Sequence, residues 1–285
     1  MRRSNSLAAR TPEPVLRKLR GPAAQAAALV AFLLIIGLVW DLLAAWGGFP
    51  RLLFPTASQI LERLWSMART GALLSATMPT LGRMALGFCI AALAGVPIGL
   101  WMGRSQIVED FLSPTIRILL PIPSLAYVPL FILWLGLTLQ AVVLLIVVSA
   151  VLPIIVNTWT GTKAIDRKLT WVAQSMDVRG VVLFSRVFLP AAVPSIMMGL
   201  RQGLSMSWRA AVGAEFFSMA QSGLGVTMLE AQGYQQTDVI LSLLIIIMVI
   251  SFALDKWVFM QIESMTINRW GMQAEKSYPG RKGRR

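Results

Sequence analysis

Two residue types that carry much of enzyme chemistry are almost missing from this chain. Its 285 residues include no histidine and one cysteine, Cys89. Histidine is the commonest general base and the commonest transition-metal ligand, so Ser-His-Asp hydrolases, HExxH proteases and zinc deaminases are excluded. A single thiol forms neither an internal disulfide nor a multi-cysteine metal site.

Charged side chains are also scarce, at 14% of residues against 56% hydrophobic, and the mean hydropathy is +0.68. This is too little polar surface to cover a soluble globule, whereas a surface in contact with lipid needs none. The net charge of +13 would suit nucleic-acid binding. The basic residues, however, collect in particular loops between apolar segments, which favours a membrane protein that binds lipid and no nucleic acid.

Long apolar segments predict six transmembrane helices. A helix needs about 20 largely apolar residues to cross the hydrocarbon core. Residues 118–162 carry no charge, and as one helix they would extend about 67 Å, so this run must fold back. Glycine and polar residues at 136–140 predict the turn. Within a transmembrane domain of residues 21–271, the predicted spans are 22–46, 80–103, 112–135, 139–159, 190–217 and 233–258.

The distribution of lysine and arginine predicts the orientation, because basic residues beside short loops stay on the cytoplasmic side. With both termini in the cytoplasm, most basic residues fall in inner segments, and the outer loops hold Arg51, Arg63 and Arg69. The tails, 1–20 and 272–285, are basic and are expected to lie against anionic lipid head groups. The apolar stretch of the first span is too long for a cleaved signal peptide.

One cytoplasmic connection, residues 160–189, is long and regular. Residues 177–180 interrupt its helical pattern, and a second short helix is predicted before Pro190 opens the fifth span. This helix-turn-helix either offers a ridge to an adjacent soluble protein or lies as an amphipathic pair on the membrane surface. The apolar residues that recur on one face of its first helix are Ile165, Leu169, Val172, Ala173 and Met176.

The end of this connection resembles a known motif. Phe184, Leu189-Pro190, Pro194-Ser195-Ile196 and Gly199-Leu200-Arg201 read FxxxxLPxxxPSIxxGLR. This pattern is similar to the second half of the Glu-Ala-Ala loop of binding-protein-dependent ABC importer permeases. The resemblance covers roughly residues 30–272 and is to the nitrate, sulfonate, taurine and bicarbonate branch. Its further elements include Gly95 to Leu100, Pro121 to Pro123, Trp208-Arg209, Ala214-Glu215 and Gly223 to Gly225.

The first half of the motif departs from the family. Trp171-Val172-Ala173 stands where the family has Glu-Ala-Ala, and Asp177 stands where it has glycine. An aspartate tolerates left-handed backbone angles, and its carboxylate can cap the following helix. Gly180 is the alternative turn residue. The departure implies either a matched, atypical ATPase or a heterodimer in which a second permease carries the standard loop.

The resemblance implies an all-α permease of the type I ABC importer kind, in the bacterial inner membrane, which is not itself an enzyme. Because the chain has no GxxxxGK[ST] loop, ATP and Mg would be bound by partner ATPase subunits, and the chain itself holds no cofactor or metal. The implied partners are two ATPases, a second permease subunit and a periplasmic or lipid-anchored substrate-binding protein. The residues implied to contact the ATPase are Trp171, Val172, Ala173, Asp177, Gly180, Phe184, Leu189 and Pro190.

A set of polar residues is a candidate for the translocation path. Arg201 and Arg209 are eight residues apart and share one face of the fifth span. Such a cationic, hydroxyl-lined face suits a small anion or zwitterion. Alternatively, Arg201 snorkels to the cytoplasmic interface while Arg209 pairs with Glu215 inside the bundle. The candidate path residues are Asn157, Arg201, Gln202, Ser205 and Arg209.

Two other functions compete with an ATP-driven importer. A carrier driven by an ion gradient usually needs ionisable groups deep in the spans, and its candidate carboxylates, Asp41, Glu215 and Asp238, each fall near a span end. The other alternative is a membrane scaffold that transports nothing. The resemblance leaves the solute open among nitrate, sulfonates, taurine, bicarbonate and small heterocycles, because in this branch specificity comes mainly from the binding protein.

Overall fold

The computed structural model describes residues 22–258, apart from residues 47, 49, 51, 52, 218 and 219. In this part of the chain every regular element is helical, which confirms the predicted all-α membrane fold. The basic tails predicted at 1–20 and 272–285 lie outside the described residues. The α-helices in chain order are α1 (Pro22–Trp46), α2 (Ala57–Arg69), α3 (Ala72–Arg104), α4 (Gln106–Leu119), α5 (Val128–Leu135), α6 (Leu139–Lys163), α7 (Arg167–Ser175), α8 (Gly180–Leu183), α9 (Leu189–Phe216), α10 (Leu224–Gly233) and α11 (Thr237–Ala253).

Among the described residues, five helical segments are long and apolar enough to cross a membrane, and α4 with α5 forms a sixth candidate. Many of their large apolar side chains point outward, which suits contact with lipid or with another membrane subunit. The five segments are Ala26–Trp46, Ala72–Arg104, Leu139–Lys163, Gly180–Phe216 and Thr237–Lys256.

The third span is broken instead of continuous. Residues 112–135 were predicted to form one helix, but α4 and α5 meet at an angle of 88°. Pro121 and Pro123 lie in the break, and each lacks an N–H group and disfavours helix at the residue before it. A 3₁₀ turn, Ser124–Tyr127, then leads into α5. We call residues 120–127 the elbow; its 3₁₀ turn packs against α6 and α9.

The fifth and sixth spans also differ from the prediction at their starts. Pro190 was expected to open the fifth span, yet the helix is continuous from Gly180 through a π turn, Phe184–Phe188. In that turn the N–H of Leu189 bonds to the carbonyl of Phe184, so the bonding register shifts just before Pro190, which has no N–H to donate. The sixth span begins at Thr237, because Gln235 takes a φ of 56° beyond the end of α10.

Helices α3, α6 and α9 form the frame of the bundle. Gly95 and Gly99 of α3 lie directly against Ile154 and Thr158 of α6. A Cβ atom added at Gly99 would lie 2.6 Å from Cβ of Thr158 and 2.8 Å from the carbonyl oxygen of Ile155. Lipid supplies no hydrophobic drive between helices, so such close backbone packing is what holds them together.

Replacing Gly99 by alanine is expected to lower the thermal unfolding midpoint of the purified protein, whereas Gly82→Ala should raise it or leave it unchanged. Both glycines lie in α3, so both substitutions gain roughly 1 kcal/mol of helix propensity. A Cβ at Gly82 meets no atom within 4 Å. At Gly99 it must push α3 away from α6, at a cost of about 1–3 kcal/mol. Equal midpoints for the two variants would contradict the close contact.

Candidate coupling segment and translocation path

The connection between α6 and α9 forms the predicted helix-turn-helix, and we call its residues 167–188 the coupling segment. Helix α7 begins after Asp166, whose carboxylate accepts a hydrogen bond from the N–H of Lys168 at 2.9 Å. Apolar side chains of α7 and of the residue that follows it are strongly exposed, Trp171 at 62% and Met176 at 74%. Exposed apolar surface of this kind marks an interaction site. The residues of this apolar ridge are Leu169, Trp171, Val172 and Met176.

The turn between α7 and α8 uses two residues with left-handed backbone angles. Asp177 has a φ of 60° and Gly180 a φ of 58°, a region that favours glycine and that aspartate tolerates. The carboxylate of Asp177 lies 3.1 Å from Nε of Arg179. No side chain caps α8, so the carboxylate of Asp177 does not form the helix cap that the sequence allowed. The backbone of Asp177 does take the left-handed conformation that an aspartate tolerates.

Asp177→Val is expected to speed amide hydrogen exchange in α7 by about five- to thirtyfold, because a left-handed backbone at a β-branched residue costs roughly 1–2 kcal/mol. Asp177→Gly should leave the exchange within about twofold of wild type. Glycine adopts this φ without strain, and the exposed contact with Arg179 contributes little. The same exchange rate in the valine and glycine variants would show that the turn does not hold its φ of 60° in solution.

The coupling segment is fastened to the transmembrane frame where the π turn meets α3. The guanidinium carbon of Arg104, the last residue of α3, lies 5.6 Å from the ring centre of Phe184 and 5.3 Å from that of Phe188. Each such cation–π contact contributes about 0.5–2 kcal/mol. Because the coupling segment contacts α3 here and continues into α9, a displacement of the segment is transmitted to both helices. Such π turns occur frequently at functional sites.

Two arginines of the spans are neutralised by carboxylates. Arg201 on α9 donates two hydrogen bonds to Asp255, one from Nε at 2.8 Å and one from Nη2 at 2.7 Å. Arg83 on α3 donates from Nη1 to Glu215 at 2.5 Å. The expected pair between Arg209 and Glu215 is therefore wrong. Arg201 instead pairs with a carboxylate at the end of the sixth span. The alternative expected from the sequence was that Arg201 snorkels to the cytoplasmic interface.

Glu215 is fully buried, and its carboxylate is held by donors from two other helices, α3 and α10. Besides Arg83, it accepts hydrogen bonds from the hydroxyl of Thr80 at 2.8 Å and from the N–H of Gly225 at 3.1 Å. The N–H of Leu224 in turn donates to the Thr80 hydroxyl at 3.0 Å. This cluster joins α3, α9 and the start of α10. One feature of the sequence points to this pair: Arg83 and Glu215 carry opposite charges, and both lie in apolar spans.

Arg209 has a different environment, because no carboxylate lies within ion-pair distance of it among the residues that the structure describes. Its guanidinium donates to the carbonyl oxygen of Ser205 at 3.2 Å and to the Ser205 hydroxyl at 3.3 Å. A lone charge at the centre of a membrane costs about 3 kcal/mol unless it is paired or hydrated. The neutral atoms of Ser205 do not remove this cost.

A cavity of about 390 Å³ lies between the elbow, α6 and α9. Arg209 and Gln202 line it from α9, Ser149 from α6 and Tyr127 from the elbow. Ser149 is about 15 Å along α6 from its start, which is near the middle of this 25-residue helix. Asn157 is bonded to the same group, since its Nδ2 donates to Oε1 of Gln202 at 2.8 Å. The cavity therefore lies near mid-depth in the bundle.

A smaller cavity of about 210 Å³ adjoins the other side of Arg209. Arg201, Ser205 and Arg209 line it together with Asp255. The structure thus groups the predicted path residues around the two cavities that share Arg209. Sequence reasoning missed Tyr127 and Ser149, because neither belongs to a motif and the elbow that brings Tyr127 to α9 was not predicted.

Residues 95–263 match the family of binding-protein-dependent transport system inner membrane components. This stretch contains the coupling segment, α9 and most of the frame. The chain belongs to this family. It is therefore an ABC importer permease, a multi-pass protein of the inner membrane, and the resemblance seen in the sequence is confirmed.

Two relatives show how far the similarity of this ABC importer permease extends. It is 32% identical over 231 residues to the taurine transport system permease protein TauC of Escherichia coli, covering 79% of this chain and 84% of TauC. It is 30% identical over 188 residues to the nitrate import permease protein NrtB of Synechocystis, covering 66% of this chain and 68% of NrtB. The similarity therefore spans most of the described bundle.

Proposed function

We propose that this ABC importer permease passes a small anion through the inner membrane, driven by ATP that separate subunits hydrolyse. The observation that carries the proposal is the apolar ridge of the coupling segment, because a chain without a phosphate-binding loop needs an exposed surface of this kind to contact a subunit that hydrolyses ATP. The turn at 177–180 joins the ridge to α8, and α8 is continuous with α9 through the π turn. A movement imposed on the ridge therefore reaches the helix that carries Arg209.

The charge of the path and the names of the relatives support an anionic solute. Arg209 places a positive charge without a carboxylate partner, among the described residues, beside a cavity near mid-depth. TauC is named for taurine and NrtB for nitrate. A sulfonate group and nitrate share a compact set of oxygen acceptors, which guanidinium donors bind well. A substrate-binding protein outside the membrane would deliver the solute to the permease.

The proposed assembly has both termini of the chain in the cytoplasm, in agreement with the bias of basic residues. The coupling segment carries Arg167, Lys168, Arg179 and Arg186, and these basic residues support a position for it at the cytoplasmic end. Two permease subunits, identical or different, would pair with two ATPases inside and one binding protein outside. ATP binding would close the ATPase pair, draw the two coupling segments together and switch the path from inward to outward facing.

The ion-gradient carrier is disfavoured by the state of its candidate carboxylates. Glu215 is enclosed in the cluster with Arg83. Asp41 accepts a hydrogen bond from the N–H of Ala57 at 2.7 Å, and Asp238 accepts one from Nε of Arg63 at 2.6 Å. All three are therefore held as bonded carboxylates that fix one helix to another, a poor arrangement for a group that must exchange protons with water.

Site-directed cysteines test the orientation and the ATPase contact. Cys89 is the single cysteine, so Cys89→Ser gives a background free of thiols. In that background, Met176→Cys on the ridge should react with a membrane-impermeant maleimide only in inside-out vesicles, and it should cross-link to the ATPase. Ser66→Cys on α2, at the opposite end of the bundle, should react only in right-side-out vesicles. The reverse labelling pattern, or no cross-link from position 176, would contradict the proposal.

A further inference from the structure

We infer that Arg209 is the anion-recognition residue of this permease and that the 390 Å³ cavity between the elbow, α6 and α9 is a subsite for one oxyanion group. The inference rests on the proposed function and makes it more specific. It assigns the charge selectivity to one arginine of the path and leaves Arg201 a structural role, because Asp255 already neutralises Arg201 with two hydrogen bonds.

The first argument is charge balance. Arg83 and Arg201 have carboxylate partners, whereas the described residues place none beside Arg209. Its two hydrogen bonds go to the carbonyl and hydroxyl of Ser205, which carry no net charge. A guanidinium has five N–H donors, so three donors remain. A positive charge at this depth is stable when an anion or water pairs with it, and a passing anionic solute would do so.

The second argument is the kind of polar group around the cavity. No acidic side chain lines it in the part of the chain that the structure describes. The hydroxyl of Tyr127 is buried and has no hydrogen-bond partner among the described residues. Oε1 of Gln202 is occupied by the Nδ2 donor of Asn157, which leaves the NH₂ group of Gln202 to donate. Arg209 and Gln202 thus supply guanidinium and amide donors to the cavity, whereas the Tyr127 hydroxyl is shielded from it.

Such a set of donors suits a group that only accepts hydrogen bonds, as sulfonate, nitrate and carboxylate groups do. The rest of the cavity wall is largely apolar, with Leu152 and Met206 facing the same space. A small solute with one oxyanion head and a short uncharged remainder therefore matches both parts of the wall. Neutral molecules of the same shape would leave the charge of Arg209 unpaired.

Methanesulfonate and dimethyl sulfone test the inference, because they have nearly the same shape and differ in charge. Binding of each labelled probe would be measured by equilibrium dialysis on the complete transporter in nanodiscs without nucleotide. The wild type is expected to bind methanesulfonate at least tenfold more tightly than dimethyl sulfone. Arg209→Gln should abolish this preference, and Arg209→Lys should keep part of it. Arg69→Gln, which removes an exposed charge on α2, should keep it fully.

The outcomes separate this inference from the proposed function. A preference that survives Arg209→Gln, or a wild type that binds the two probes equally or binds neither, overturns the inference. Loss of the preference together with a lower unfolding midpoint of the Arg209→Gln complex also overturns it, because the arginine would then serve assembly. A separate uptake measurement tests the proposed function. That function fails if the wild-type complex shows no ATP-dependent uptake of the solute bound by its binding protein.

Discussion

Replacing Arg83 by leucine is expected to destabilise the folded permease by about 3–5 kcal/mol, because the buried carboxylate of Glu215 then loses its cation. The side chain of Glu215 is 0% exposed and that of Arg83 13% exposed. Water cannot take the place of the guanidinium at such a site. We expect a large fall in the thermal unfolding midpoint of the purified protein and a low yield of folded protein from membranes.

Two further variants separate the buried charge from other effects of the substitution. Arg83→Leu combined with Glu215→Gln should regain part of the lost stability, since no unpaired charge is then buried. Arg63→Leu removes a similar ion pair with Asp238, whose partners are 44% and 24% exposed. It should cost no more than about 1 kcal/mol. If Arg83→Leu and Arg63→Leu lowered the midpoint equally, the cluster would not be the anchor that its burial indicates.

Replacing Trp171 by alanine is expected to weaken binding of the ATPase at least thirtyfold, or by about 2 kcal/mol or more. Trp171 is the largest side chain of the apolar ridge and is 62% exposed. Exposed tryptophans of this kind commonly dominate an interface when a partner covers them. Solute uptake should fall in parallel, because the proposed mechanism delivers the energy to the path through this contact.

The matched control for Trp171→Ala is Gln174→Ala on the same helix. Gln174 is exposed and outside the apolar ridge, so its loss should change ATPase affinity less than about threefold. The unfolding midpoint of both variants should equal that of the wild type, since neither side chain is buried in the bundle. An unchanged ATPase affinity with Trp171→Ala would mean that the ridge faces lipid, as the amphipathic alternative requires.

The spans and their number followed from the sequence because the signal for them is local. A window of about 20 apolar residues is enough to identify a crossing, and the turn at 136–140 was marked by Gly136, which has a φ of 70°. The elbow was missed although Pro121 and Pro123 were visible. Prolines in membrane helices often cause only a kink, and hydropathy does not distinguish a kink from a bend of 88°.

The ion pairs were the least predictable part of the candidate site. Glu215 was matched with Arg209 because the two lie near each other on α9, yet its partner Arg83 is 132 residues away in sequence. Only the packing of α3 against α9 brings them together. The left-handed angle of Asp177 could be anticipated, in contrast, because Asp177 stands where the resembled loop motif has glycine, and such a glycine indicates a backbone requirement that the local turn imposes.

Uptake by proteoliposomes tests most directly whether this permease is driven by ATP. The chain, its ATPase and its binding protein would be reconstituted together, with labelled solute outside and nucleotide supplied to the ATPase side. We expect uptake that requires hydrolysable ATP, stops with a non-hydrolysable analogue and continues when a protonophore collapses the proton gradient. Uptake that proceeds without ATP and disappears with the protonophore would contradict the coupling mechanism.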